Sequence, residues 1–242
     1  MRVADELTRL WQYIRLFGLI SWFHLFKLTG NIIDRDAGVI EQHIAKLMSK
    51  RMLAVLKMKV TTEGLEHARH IDNYAVASNH LSYLDWVLIL AEFPNPLSFI
   101  AKQAVTLMPV FGSYLRNRGV LIDRRKGHTA RSVIREAAAD NPFPLLIFPE
   151  GTRSPDGEPQ KFRRAGIRIL ADHGLKLLPV VLYGTYEGLS KDARCIKTGL
   201  HLHMQILPPI DPKELGAVEA CEELERVIVS TYLARRDEFN GR

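Results

Sequence analysis

Short apolar runs alternate along this chain with longer stretches in which apolar residues recur at helical spacing. The runs at 58–62, 74–78, 98–101, 120–122, 145–148, 177–182 and 202–207 predict strands. The stretches at 84–92, 103–115, 129–140, 164–173 and 212–235 predict helices. Pro94 and Pro96, then Pro142 and Pro144, punctuate them. Strands alternating with helices imply an α/β fold: a mixed, largely parallel sheet flanked by helices. Residues 184–198 predict a loop, and no internal repeat, low-complexity tract or linker interrupts the pattern.

The N-terminal pattern differs. Residues 7–28 are rich in Leu, Ile, Phe and Trp, but their uncharged core, 16–26, lies between Arg15 and Lys27 and contains His24. A membrane-spanning helix needs about 20 apolar residues. No small-residue cleavage site marks a removable leader. The segment therefore reads as a helix lying in a membrane interface, with Trp11, Trp22 and Phe23 immersed and Arg9, Arg15 and Lys27 near headgroups. A second helix over 37–58 carries Ile40, Ile44, Leu47, Met48, Met52, Val55 and Leu56 at helical spacing, with Lys46, Lys50, Arg51 and Lys57 adding charge. Packing of both helices on the domain, or a tilted span by the first, are the competing readings. The chain thus divides into membrane-associating helices at 1–58 and a folded domain at 59–242.

Composition narrows the function classes. The 242 residues are 47% hydrophobic, which supports a packed core rather than disorder. Two cysteines give no disulfide framework, so a reducing compartment is expected. A net charge of +6 suits anionic partners such as a membrane surface, phosphate headgroups or an acidic carrier protein. Nucleic acid is set aside, because the basic residues are dispersed and no zinc-finger, RRM-type or basic-zipper signature is present. No Cys/His spacing matches a zinc site, so no metal is expected.

Candidate chemistry sits where strands end. Asn79-His80-Leu81-Ser82-Tyr83-Leu84-Asp85 follows the apolar run at 74–78. Five residues along one helix subtend about 500°, which would leave His80 and Asp85 roughly 140° apart. They meet only if His80 lies in a loop and Asp85 in the first helical turn. Asp85 would then orient the imidazole of a general base. The competing reading is a capping box, Ser82-x-x-Asp85. Phe148-Pro149-Glu150-Gly151-Thr152-Arg153-Ser154 ends another strand, displaying an acid, a hydroxyl and a phosphate-binding guanidinium where open α/β sheets bind ligands. Lys102, Pro109, Gly112, Gly119 and Arg124 form a third pattern, and an apolar strand bearing Pro179 a fourth. Lys161, Arg163 and Arg164 read either as a solvated charge run or as an aid in binding phosphate or a carrier protein. His201 and His203 read as structural or surface residues.

These four blocks, in this order, resemble those of the glycerolipid acyltransferases, and most closely the 1-acyl-glycerol-3-phosphate acyltransferases. Asn79, His80, Ser82 and Asp85 match the family's Asn-His-x-Ser-x-x-Asp block. Lys102, Pro109, Gly112, Gly119 and Arg124 match its second block, and residues 148–154 match Phe-Pro-Glu-Gly-Thr-Arg-Ser in full. The resemblance covers roughly residues 56–210 and extends to an N-terminal membrane-binding helix pair. It implies transfer of a fatty acyl group from acyl-CoA or acyl-carrier protein to a lysophospholipid hydroxyl, giving phosphatidic acid. It assigns catalysis to His80 and Asp85. Lys102, Arg124 and Arg153 would hold the acceptor phosphate, Glu150 would bind the glycerol or organise the basic residues, and Gly151 and Thr152 complete the substrate-binding turn. No cofactor beyond the thioester is implied, and the enzyme would work on the cytoplasmic face of a membrane. Residues 184–198 would border the acyl-donor entrance. Two alternatives stay open: another acceptor, such as glycerol-3-phosphate, another lysophospholipid or a lyso-aminolipid, and a non-catalytic membrane-surface protein.

Overall fold

The computed structural model describes residues 14, 15, 18, 37–108, 111–123, 127–193 and 195–239. Pro109, Arg124 and most of the 7–28 segment lie outside them. Within that segment Ile14, Arg15 and Gly18 are helical and exposed. Seven strands form one sheet: β1 (Lys59–Glu63), β2 (Tyr74–Ser78), β3 (Ser98–Lys102), β4 (Val120–Ile122), β5 (Leu145–Ile147), β6 (Lys176–Tyr183) and β7 (His201–Ile206). Their spatial order is β1-β7-β6-β2-β5-β3-β4, and every pairing is parallel except β6 with β7.

The apolar runs place their alternate side chains on two cores. Val76, Leu146, Leu178, Val180 and Leu182 face one side. Ala75, Ala77, Leu145, Ile147, Leu177 and Val181 face the other. The first face is covered by α1 (Ala37–Val55), α3 (Leu84–Glu92) and α4 (Phe111–Arg118). The second is covered by α5 (Gly127–Asp140), α6 (Arg164–Asp172) and α9 (Ala217–Phe239). Short helices α2 (Glu66–Arg69), α7 (Thr185–Gly188) and α8 (Pro212–Leu215) serve the connections.

The C-terminal half of α1 belongs to this packing. Ala45, Leu53 and Leu56 are buried in the same cluster as α3, and Lys46 Nζ donates to Phe93 O at 2.9 Å, closing the end of α3. Leu47 remains exposed. Among the described residues no helix is long and apolar enough to cross a membrane.

Three sequence expectations need correction. The helix predicted over 103–115 is a 3₁₀ turn, Gln103–Leu107, followed by α4. Met108, which precedes Pro109, is extended at φ −69° and ψ 136°, as the proline ring requires of its predecessor. The helix predicted over 212–235 is broken between α8 and α9 at Gly216, whose φ of +89° no helix tolerates. Likewise the loop predicted at 184–198 holds α7. Pro179 sits within β6 without breaking it. Its carbonyl accepts from Leu207 N, so its missing N–H faces the point where β7 has already run out.

Candidate active site

Asn79 begins the site as a plug. β2 ends one residue earlier, leaving the Leu182 peptide groups on that side of β6 without a strand partner. Asn79 Nδ2 donates to Leu182 O at 3.0 Å, and Leu182 N–H donates to Asn79 Oδ1 at 2.8 Å. Asn79 is fully buried. Asn79→Ala orphans both groups and is expected to lower stability by about 2–4 kcal/mol, measured as a shift in urea midpoint at unchanged slope.

The next residues turn the chain into α3. Three donors converge on one oxygen of Asp85: His80 Nδ1–H at 2.8 Å, Leu81 N–H at 2.7 Å and Ser82 N–H at 2.8 Å. The two readings of Ser82-x-x-Asp85 therefore coexist, since one carboxylate both caps the helix and holds the imidazole. The cap is not the reciprocal box, however. Ser82 Oγ accepts from Leu84 N–H at 3.0 Å and donates to Leu189 O at 2.6 Å. Phe148 stacks beneath the His80 ring, with centroids 4.1 Å apart and planes at 19°. With Nδ1 engaged by Asp85, Nε2 is the ring nitrogen left for a substrate proton.

The turn after β5 grips His80 by its backbone. Gly151, at φ +73°, donates to Phe148 O and makes the bend. His80 N–H donates to Glu150 Oε1 at 2.9 Å, and Ser154 N–H donates to His80 O at 2.8 Å. Glu150 is 2% exposed and is not among the residues that line the adjoining cleft. Burial pushes its carboxyl up to about 8, the His80 and Gln160 N–H groups oppose that shift, and the charge of Asp85 adds to it.

The cleft has a volume of about 340 Å³ and takes in His80, Gly151, Thr152 and Arg153. Its apolar wall is Trp86, Phe99, Val105, Met108 and Phe111, with Trp86 stacked on Phe111 at 4.4 Å. Lys102 ends β3 at its rim. The Arg153 guanidinium lies 3.4 Å from the Tyr83 ring centroid, and its Nη1 is buried without a partner. The fold thus joins a histidine, a carboxylate, cations and an apolar wall. Of the site residues read from sequence, His80, Lys102, Gly151, Thr152 and Arg153 line the cleft, Asp85 and Glu150 lie behind His80, and Arg124 is outside the described residues.

Several contributors were not singled out from sequence. Tyr83, Trp86, Phe99 and Phe111 are apolar positions of ordinary appearance until the fold gathers them. The loop beyond Ser154 is braced by α9. Tyr232 Oη donates to Gly157 O at 2.7 Å, Phe162 N–H donates to Glu225 Oε1 at 3.1 Å, and Arg236 pairs with Glu158. Arg164, grouped above with Lys161 and Arg163, forks onto Glu225 and Glu222 at 3.0 Å and 2.6 Å. It holds the brace, its guanidinium engaged by two carboxylates. His203 is buried beside Thr61 Oγ1 at 2.8 Å, which is a structural placement. Neither cysteine lines the cleft, and burial pushes the Cys221 thiol up to about 11.

Comparison with known proteins meets this geometry. A family model described as Acyltransferase matches residues 59–183. A 1-acyl-sn-glycerol-3-phosphate acyltransferase of Helicobacter pylori is 31% identical over 200 residues, taking in 80% of this chain and 83% of that protein. A protein of the same description from Borreliella burgdorferi is 28% identical over 179 residues, 71% of this chain and 69% of its own length. One from Cocos nucifera is 30% identical, and the match takes in 77% of this chain and 57% of that protein. The crystal structure of the 1-acyl-sn-glycerophosphate (LPA) acyltransferase PlsC from Thermotoga maritima superposes with a TM-score of 0.81 at 28% identity, covering 100% of this chain and 98% of that one. The model spans more than half of the chain and takes in the His80–Asp85 turn and the Phe148–Ser154 turn, and on that match the chain belongs to the glycerolipid acyltransferase family.

Proposed function

We propose that this acyltransferase moves a fatty acyl group from a thioester, acyl-CoA or acyl-carrier protein, to the free hydroxyl of 1-acyl-glycerol-3-phosphate, giving phosphatidic acid. The observation that carries the reading is the Asp85–His80 pair, whose Nδ1 bond of 2.8 Å leaves Nε2 at a cleft with both cationic and apolar walls. An amphiphilic phosphate ester suits such walls on chemical grounds. The relatives named for this reaction support the choice of acceptor.

The steps follow from the residues. His80 Nε2 takes the proton of the acceptor hydroxyl as its oxygen attacks the thioester carbonyl. Asp85 stabilises the imidazolium that forms, as in a triad whose hydroxyl is supplied by the substrate. Collapse of the tetrahedral adduct completes the ester and breaks the C–S bond, and the departing sulfur takes the proton back from His80. Arg153, with Lys102 and Arg124, holds the acceptor phosphate. Trp86, Phe99, Val105, Met108 and Phe111 receive hydrocarbon. No protein nucleophile is used, and no cofactor or metal takes part. The partners are the bilayer, its lysophospholipid and, as one of the two donors, acyl-carrier protein; nucleic acid is not one. The apolar and basic sequence pattern of residues 7–28 and the net charge of +6 support work at the cytoplasmic membrane face, where the thioester donors are.

The test is acyl transfer by purified protein in detergent, with each thioester donor and a panel of acceptors. Turnover is expected to prefer lysophosphatidate over glycerol-3-phosphate and over lysolipids with larger headgroups. Preference for another acceptor overturns the substrate assignment. No transfer from either donor by folded protein overturns the activity.

A further inference from the structure

Two carboxyl groups flank His80, and their surroundings are unlike. Asp85 Oδ2 accepts three hydrogen bonds, one of them from the imidazole, while its Oδ1 is buried with no partner. That is the environment of a charged carboxylate, which needs several donors when taken out of water. Glu150 stands on the other side. Its Oε1 accepts from the His80 N–H, the Gln160 N–H donates to the same carboxyl, and its Oε2 is buried with no partner. Each carboxyl thus has one bare oxygen, but Asp85 has three donors, the imidazole among them, to balance its charge, whereas Glu150 has only main-chain N–H groups, and there a full charge is costlier than a neutral acid.

Glu150 also has no way to touch an acceptor. It is buried and absent from the cleft lining, so the glycerol-binding role implied by the family resemblance does not fit its position. Nor does it organise the cations, because the Arg153 guanidinium rests on the Tyr83 ring instead. What Glu150 does touch is the peptide N–H of the general base. Ser154 N–H holds the other end of the same residue, at His80 O.

We propose that Glu150 is a positioning residue that works as an uncharged carboxylic acid. It fixes the His80 main chain through Oε1 and leaves Asp85 as the one negative charge against the imidazole. Pairs of carboxyls whose environments separate their protonation states are a recurrent way to divide roles at a site. The upward shift of Glu150 to about 8, caused first by burial, agrees with this division. Among the described residues the titratable groups that bear on it are Asp85 from α3, His80 from the preceding turn and Tyr232 from α9, whose phenol feels the charge of Glu187 and then those of both carboxyls.

The sign of the pH effect follows. Glu150 keeps its proton through neutral pH and loses it as the pH climbs through about 8. Ionisation then puts an unsolvated charge beside Asp85. The turn must rearrange to meet that charge, and His80 moves with it. A misplacement of about 1 Å costs on the order of 100-fold in rate. Activity therefore falls on the basic side with the titration of Glu150.

The experiment compares wild type, Glu150→Gln and Glu150→Ala in kcat and KM from pH 6 to about 10. Its kinetic arm rests on the acyl-transfer reading. Alanine leaves the His80 N–H unheld and is expected to lower kcat about 100-fold at pH 7 with little change in acceptor KM. Glutamine offers the same acceptor oxygen and no proton to lose. It is expected to recover at least about tenfold of that loss and to abolish the basic limb. A second arm needs no turnover: in protein labelled at the glutamate carboxyl carbons, the resonance missing from Glu150→Gln is expected to titrate near pH 8, apart from the other glutamates. The inference is overturned if that resonance titrates with the rest. It is equally overturned if the glutamine variant raises acceptor KM while keeping the basic limb. A wild type that turns over nothing overturns the acyl-transfer reading, and the carboxyl resonance still decides Glu150.

Discussion

His80→Ala is expected to lower kcat by about 10³-fold or more, while the protein stays folded. Two roles are lost together: the base that deprotonates the hydroxyl and the acid that protonates the leaving thiolate. Each is worth on the order of 10²–10⁴-fold when supplied by a positioned side chain. The fold survives because the backbone bonds to Glu150 and Ser154 do not involve the ring, and Asp85 Oδ2 keeps the Leu81 and Ser82 N–H groups at 2.7 Å and 2.8 Å. The stacking on Phe148 and the Nδ1–H bond to Asp85 Oδ2 are given up. Steady-state kinetics beside a thermal melt decide the matter. Residual turnover above about a tenth of wild type would remove His80 from the chemistry.

Asp85→Asn carries the second large effect, and its size is informative. In a triad an amide can flip, offer its NH₂ to the imidazole and impose the wrong tautomer, at a cost of about 10⁴-fold. That flip is blocked here. Leu81 N–H and Ser82 N–H both point at the oxygen that faces His80, and an NH₂ in that place would meet two donors. The amide oxygen is therefore expected to stay where Asp85 Oδ2 is, preserving the tautomer. What disappears is the negative charge opposite the imidazolium. The expected loss is about 10²–10³-fold in kcat, with KM little changed. Imidazole NMR checks the cause: the Nδ1–H tautomer is expected to persist in the variant. A variant with the Nε2–H tautomer would show that the two backbone donors do not set the amide's orientation.

Much of this was legible in the residues because the central strands are buried on both faces. Val76, Leu146 and Leu178 needed only to be apolar to read as strand, and Pro142 and Pro144 marked where β5 could begin. The Asn79–Asp85 and Phe148–Ser154 blocks were legible because their contacts are local or recur in a family. The rest depended on partners distant in sequence. Asn79 plugs a gap at Leu182, 103 residues away, and no local pattern marks it as a plug. Arg164 looked like a free cation because Glu222 and Glu225 lie 58 and 61 residues further on. Glu150 was given a substrate role by the resemblance alone, because its burial comes from packing its turn against His80. The break at Met108 was visible in Pro109, but helical spacing continued across it and outweighed the ring.

The brace from α9 has a temporal side. Gly157, Glu158, Phe162 and Arg164 are held by residues between Glu222 and Arg236. Translation proceeds from the N-terminus at about 5–20 residues per second, so the loop leaves the ribosome seconds before the helix that steadies it. Until Arg236 has cleared the exit tunnel, the backbone clamp on His80 lacks its support. A half-made chain therefore has no finished site with which to acylate anything it meets.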